Sequence, residues 1–364
     1  MREFRIDIAE SELVDLCHRL ERSRRPRGVT EDGGLPLVHV DALVKHWLEA
    51  FDWRRQEALL NQLPQFIQDV SGTQLHYLHA RCSRRSAMPL VLLHGWPGSF
   101  VEMRHVVPRL VRDFHVVVPS LPGYGFSPLP AAGYSNARIA EVVANLMSAL
   151  GYERFGVQGG DWGAGIGTWL ALKYARRVVG LHLNYIPGSY APFVVGEHTD
   201  EELAFLRRKD EWAAEAGAYG HVQRTRPLTI AYGLTDSPIG LAAWIAEKFV
   251  EWSDPRTRPG FNDILTNISL YWFTNTIASS VRLYFESERT PLAFARTTRV
   301  GVPTGILRCP LEAPFPPRSW IERGYDVTHW TDAERGGHFA ALEIPDAFVG
   351  DVCRFFGAHG ARAV

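Results

Sequence analysis

Cysteine is scarce in this chain. Cys17, Cys82, Cys309 and Cys353 are spread over 364 residues, and no two stand at CxxC spacing, so zinc-site and redox-motif readings fail. Four isolated thiols fit a reducing cytosol. An excess of one charge is also missing: 39 basic and 40 acidic residues leave a net charge of −1. No overall field therefore favours nucleic acid or an anionic membrane surface. The local basic run Arg22, Arg24, Arg25, Arg27 is broken by Pro26 and reads as a solvated loop. No stretch approaches 18 apolar residues, and Met1 to Asp7 carries charge throughout with no apolar h-region. The sequence thus predicts neither signal peptide nor membrane anchor, and a cytoplasmic protein. Asn267-Ile268-Ser269 matches a glycosylation acceptor but carries little weight without an export signal. Internal repeats, low-complexity segments and any GxSxG are absent too. Gly163-Ala164-Gly165-Ile166-Gly167-Thr168 fails the dinucleotide GxGxxG pattern because position 168 is Thr.

What is present is apolar material for a large core, 46% hydrophobic against 22% charged residues. Eleven Trp, twelve Tyr and nineteen Phe are enough both to fill that core and to wall an apolar pocket. Residues 1–85 lack β/α alternation. Leu13, Leu16, Cys17 and Leu20 fall at i, i+3, i+4, i+7 behind Ser11, which predicts an amphipathic helix. A second helix is expected from Val40 to Phe51, closed by Asp52-Trp53. Gln65 to Leu78 alternates like a strand with a turn at Ser71-Gly72. The segment reads as an N-terminal lobe wrapped over the main body.

Residues 86–187 read as the first part of an α/β core. Leu90 to Leu93, Phe114 to Val118, Phe155 to Val157 and Val178 to Leu183 are short apolar runs of the kind buried on both faces of a parallel sheet. A helix fits Ala137 to Leu150. Residues 188–300 have helical periodicity without alternating strands, and residues 301–364 resume the β/α rhythm through Gly305 to Leu307, Asp326 to Trp330 and a last helix near Pro345 to Phe356. A helical block set between strands predicts a cap over the carboxyl ends of the sheet, where ligands bind.

The chemistry sits in Gln158-Gly159-Gly160-Asp161-Trp162-Gly163. An apolar strand precedes it and a helix-like run follows. This is the strand, sharp turn and helix of a nucleophile elbow, with small residues two before and two after the centre. The centre is Asp, not Ser. A carboxylate there can open a strained ring or displace a halide at carbon, forming an ester on the enzyme. Three further motifs stand in the required order. His94-Gly95-Trp96-Pro97-Gly98-Ser99 supplies backbone N–H groups for half of an oxyanion hole, and Trp162 N–H supplies the other half. Glu312 follows a strand in Arg308-Cys309-Pro310-Leu311-Glu312. His338 lies in Gly336-Gly337-His338-Phe339. Singly, Asp161 reads as a helix N-cap and His338 as a core histidine; nucleophile, acid and histidine in this order argue for catalysis. Asp332 and Glu334 are nearer to His338 in sequence but lie on the wrong side of the last strand.

With these motifs the chain resembles the microsomal-type epoxide hydrolases. The resemblance spans the N-terminal lobe, the HGxP loop, the elbow, the Arg335-to-Ala340 end, and the cap segments Leu234 to Ala243 and Leu265 to Trp272. It implies an α/β-hydrolase fold, a mostly parallel sheet with helices on both faces, a helical cap insertion and an N-terminal lobe. It also implies that Tyr219 and Tyr284 act as cap acids toward the epoxide oxygen; Tyr232 and Tyr271 are the rivals. Asp161 would attack a ring carbon, and His338, oriented by Glu312, would activate water against the resulting ester, with the amides of Trp96 and Trp162 holding the oxyanion. Trp96, Trp162 and Phe339 are expected to wall the pocket. The scheme gives no task to a metal or cofactor. The expected partner is a small-molecule epoxide, bulky, apolar and aryl-bearing; a homodimer through the lobe or the cap stays open. The chain resembles bacterial enzymes of secondary metabolism more than detoxifying ones. The alternatives are a haloalkane dehalogenase and a non-catalytic binding protein on the same fold.

Overall fold

The apolar runs become the centre of a nine-stranded sheet in a computed structural model describing residues 1–28, 33–129, 133–312 and 314–360. The expected end of the last segment, at 364, lies outside the described residues. Along the chain come β1 (Arg2–Phe4), α1 (Glu10–Glu21), α2 (Leu37–Glu49), α3 (Trp53–Leu60), β2 (Gln65–Val70) and β3 (Thr73–Ala80). They are followed by β4 (Met88–Leu93), α4 (Val107–Leu110), β5 (Phe114–Pro119), α5 (Asn136–Ala149), β6 (Phe155–Gly159), α6 (Asp161–Lys173) and β7 (Val178–Leu183). Strand order is β1-β2-β3-β5-β4-β6-β7-β8-β9, with β8 (Val300–Arg308) and β9 (Tyr325–Asp332) at the far end. From β5 onward every pairing is parallel.

Successive residues of the central strands enter different cores, as expected of a sheet covered on both sides. Leu90, Leu92, Val116 and Val118 pack with Phe348, Val352 and Phe355 of α15 (Pro345–Gly360). Val91, Leu93 and Val117 pack with Ile139 and Val143 of α5 and with Ile166 and Leu170 of α6.

Residues 1–85 do more than wrap the body. β2 and β3 form a hairpin whose turn residues, Ser71 (φ 55°) and Gly72 (φ 80°), take the left-handed conformations a tight hairpin requires. β3 then pairs antiparallel with β5, so the segment extends the same sheet. Asp52 does not close a helix. It begins α3, its side chain accepting from Arg55 N–H. That helix has only eight residues, two of them adjacent arginines, too few for a periodic signal.

Between β7 and β8 lie α7 (Asp200–Glu215), α8 (Ala218–Thr225), α9 (Pro227–Asp236), α10 (Pro238–Trp252), α11 (Phe261–Thr274) and α12 (Ile277–Ser287). Local chemistry sets their ends. Thr199 and Glu202 form a capping box at α7, Ser237 caps α10 ahead of Pro238, and Asn275 ends α11 in the left-handed conformation (φ 52°). Glu202 also receives Arg323 in a two-bond pair at 2.8 Å, joining α7 to the segment after α13 (Arg318–Glu322). Among the described residues no helix is long and apolar enough to cross a membrane.

α15 lies close against the sheet because three strands offer glycine there. A Cβ on Gly305 would lie 2.8 Å from the Phe355 ring, one on Gly180 3.0 Å from it, and one on Gly156 2.6 Å from Phe356. Phe355→Ala is therefore expected to cost about 3–5 kcal/mol in a denaturant titration. A loss below about 1 kcal/mol would mean the rings do not fix this face.

Candidate active site

Asp161 is the first residue of α6, separated from the end of β6 by Gly160 alone. Its φ of 47° is a left-handed conformation that a non-glycine side chain rarely takes. The turn is tight enough that a Cβ on Gly159 would lie 2.3 Å from the Gly163 carbonyl oxygen, and one on Gly163 2.1 Å from that of Leu93. The small flanking residues are thus a steric requirement. The carboxylate is held from the HGxP loop: Trp96 N–H donates to Asp161 Oδ1 at 2.8 Å. Trp162 is the next residue of α6, in the first turn, where amides have no partner inside the helix.

His338 Nε2 stands 3.5 Å from Asp161 Oδ2, and its Nδ1 is 2.9 Å from Glu312 Oε2. Burial alone would push this imidazole down. The charges of Glu312 and Asp161 and the hydrogen bonds to both overcome that and hold its pKa well above the ordinary value. Of the sequence rivals for Glu312, Asp332 is half exposed and bonded to Arg308 at 2.5 Å.

Tyr219 of α8 and Tyr284 of α12 face the same site, ring centroids 6.0 Å apart. Tyr219 stacks on Trp96 at 5.5 Å, and Tyr284 meets Trp162 edge-on at 4.7 Å. Burial, reinforced for both by the Asp161 charge, pushes the two phenols above their ordinary value, so they stay protonated at neutral pH. The rivals are elsewhere. Tyr232 is 73% exposed, and Tyr271 is buried with its hydroxyl donating to the Gly98 carbonyl at 2.8 Å.

These groups line a cavity of about 720 Å³. Asp161, Trp162, Tyr219, Tyr284, Glu312 and His338 all border it, with Phe205, Tyr190, Trp212 and Trp252 among the apolar walls. Two expected wall residues do not reach it. The Trp96 ring is fully buried in contact with Tyr219, and Phe339 is buried and stacked on Phe249 at 4.1 Å. Sequence places Phe339 beside His338 but does not reveal that its side chain turns away.

An Epoxide hydrolase N terminus model matches residues 1–103, and an alpha/beta hydrolase fold model matches residues 88–275. A putative epoxide hydrolase of Stigmatella aurantiaca is 39% identical over 97% of this chain and 84% of its own length. The chain belongs to the epoxide hydrolase family. Epoxide hydrolase 1 of Oryctolagus cuniculus is 32% identical, covering 98% of this chain and 89% of the relative. Among solved structures of the family, the Aspergillus niger epoxide hydrolase superposes with a TM-score of 0.89 at 32% identity, over 98% of this chain and 96% of that one. The juvenile hormone epoxide hydrolase of Bombyx mori gives 0.87 at 31% identity, over 100% and 95%.

Two further residues that border the candidate site escaped the sequence reading. Tyr185, just after β7, borders the cavity with its ring 5.6 Å from that of His338. Glu102 sits behind Asp161, bordering a second chamber of about 10 Å³ with Asp161, His338 and Asn184. Burial pushes its carboxyl up to about 8, against backbone hydrogen bonds from Gly95 and Ser99 that favour the charge. Its four-residue spacing from Gly98 is the only signal: a Cβ on Gly98 would collide with the Glu102 carboxylate.

Because Glu312 helps to hold the His338 proton, Glu312→Gln is expected to lower the imidazole pKa. An NMR pH titration should show His338 titrating at lower pH than in wild type. An unchanged midpoint would remove Glu312 from the ion pair.

Proposed function

We propose that this epoxide hydrolase adds water to its substrate in two steps through an ester on Asp161. The observation that carries this reading is the elbow carboxylate held between the Trp96 amide and the His338–Glu312 pair, opposite two buried phenols. Oδ1 is engaged by the Trp96 amide, and Oδ2, which faces His338 Nε2 at 3.5 Å, is the oxygen that attacks a ring carbon. The carbon–oxygen bond breaks on the far side, and Tyr219 and Tyr284 hydrogen-bond to the oxygen as it gains charge. One phenol gives its proton to that oxygen, leaving a phenolate and a vicinal hydroxy-ester on Asp161.

Esterification removes the Asp161 charge. With it goes one of the influences holding a proton on His338, so the imidazole pKa falls, its proton passes to solvent, and the neutral form that can accept a proton from water becomes available. His338 Nε2 then takes a proton from water, the hydroxide adds to the Asp161 ester carbonyl, and the amides of Trp96 and Trp162 receive the oxyanion. Collapse releases the diol, whose departing oxygen takes a proton from the imidazolium, and the acid proton left on Asp161 returns to the phenolate, restoring the carboxylate and the phenol. The chamber bordered by Glu102, Asn184, Asp161 and His338 has room for about one water, the position this step needs. We assign Glu102 to holding that water.

We read α7 to α12, within residues 188–300, as a cap that brings the two phenols to the sheet. The aromatic walls and the 720 Å³ cavity favour a bulky, apolar, aryl-bearing epoxide.

Intact mass of His338→Gln after mixing with styrene oxide tests the scheme. A gain equal to the whole epoxide is expected, and none when Asp161→Ala is added. Absence of any adduct, with no diol formed by the wild type across an epoxide panel, would overturn it. Tyr219→Phe and Tyr284→Phe should each slow ester formation at least about tenfold, and the double variant more. Burst kinetics with undiminished amplitude and rate in the double variant would exclude the phenols as acids.

A further inference from the structure

Four consecutive amides carry the His338 loop, and every one is held. Gly336 N–H donates to Asp254 Oδ2 at 3.0 Å, Gly337 N–H to Glu343 Oε2 at 3.0 Å, His338 N–H to the Trp252 carbonyl at 2.8 Å, and Phe339 N–H to Glu343 Oε1 at 2.9 Å. Trp252 is the last residue of α10, and Asp254 follows two residues later. Glu343 is the last residue of α14 (Ala340–Glu343). Its carboxylate also accepts from Asp254 N–H at 2.8 Å and Thr257 Oγ1 at 3.2 Å. One buried carboxylate therefore joins the loop bearing His338 to the end of a helix in the insertion.

The join has no slack. A Cβ on Gly337 would lie 2.3 Å from the Trp252 carbonyl oxygen, and Phe249 of α10 stacks on Phe339 at 4.1 Å. Burial opposes the charge on Glu343, and the four donors offset that cost in part. The same helix end reaches the substrate side, because the Trp252 ring contacts both Tyr219 (5.2 Å) and His338 (5.1 Å).

We propose that Glu343, together with Asp254, is a positioning residue that locks His338 to the end of α10, so that the insertion sets where the base stands over the Asp161 ester. It borders neither the cavity nor the small chamber and acts only through the loop amides. The inference rests on the two-step reading above. It separates the two half-reactions: Asp161 attack needs no base, whereas ester hydrolysis does. Misplacing a reacting group by about 1 Å costs on the order of a hundredfold.

The test is single-turnover kinetics of Glu343→Gln and Glu343→Asp with styrene oxide, following ester formation and breakdown separately by quenched intact mass. The amide of Glu343→Gln turns two donors toward backbone donors. Ester formation is expected within about twofold of wild type, and ester breakdown slowed at least about tenfold. Glu343→Asp should recover part of the breakdown rate. The pH profile of breakdown in Glu343→Gln should also move, because His338 leaves its place between Glu312 and Asp161. Equal slowing of both steps, or unchanged breakdown in folded protein, overturns the proposal. If Glu343→Gln does not fold, Asp254→Asn under the same assay decides, with the same two outcomes. Failure of the parent reading looks different: His338→Gln would then form no ester at all.

Discussion

The backbone of Asp161, held at φ 47°, is the constraint on which the rest of the site depends. A left-handed residue at the start of α6 turns its carboxylate out of the sheet and into reach of the Trp96 amide, His338 and the cavity. Such a conformation costs on the order of 1–3 kcal/mol and persists only when its surroundings impose it. Here the contacts of Gly159 and Gly163 with neighbouring backbone leave no room for a relaxed turn. Gly95 is bound by the same geometry, since a Cβ there would lie 2.0 Å from Asp161 Oδ1. Three glycines, one on β6, one on α6 and one in the HGxP loop, thus record the shape of one strained residue.

Around that residue the site is a balance of buried charges. Glu312 and Asp161 hold a proton on His338, while the two phenols and Glu102 are kept neutral by burial and by the negative charge at Asp161. One group kept charged beside others kept neutral is an arrangement suited to a reaction that consumes and then restores a carboxylate.

The elbow, the HGxP loop and the Gly-Gly-His end were legible in the sequence because tight turns need glycine at fixed offsets, which leaves a local trace. The α/β alternation from β4 onward was legible for a similar reason: strands buried on both faces read as unbroken apolar runs. Tyr219 and Tyr284 carried no such local signal and came from family likeness, because a tyrosine in a helix looks the same whether it faces a pocket or a core. Glu102 left only a faint local trace, its spacing from Gly98, because the chamber it borders is formed by residues distant in sequence. Phe339 was misjudged because a neighbour of His338 in sequence need not share its direction. The three N-terminal strands were harder to read than the central ones, since β1 has only three residues and a hairpin at a sheet margin shows little of the parallel pattern.

Those N-terminal strands carry a consequence for how the protein can be taken apart. β5 is buried along its whole length, and one of its two margins is covered by β3 alone. A fragment beginning at β4 would present Val116, Val117 and Val118 with a free row of hydrogen-bonding groups, a surface on which other chains can add strands. The first eighty residues thus shield the sheet from self-association. An attempt to trim them away as an accessory would exchange a hydrolase for a precipitate.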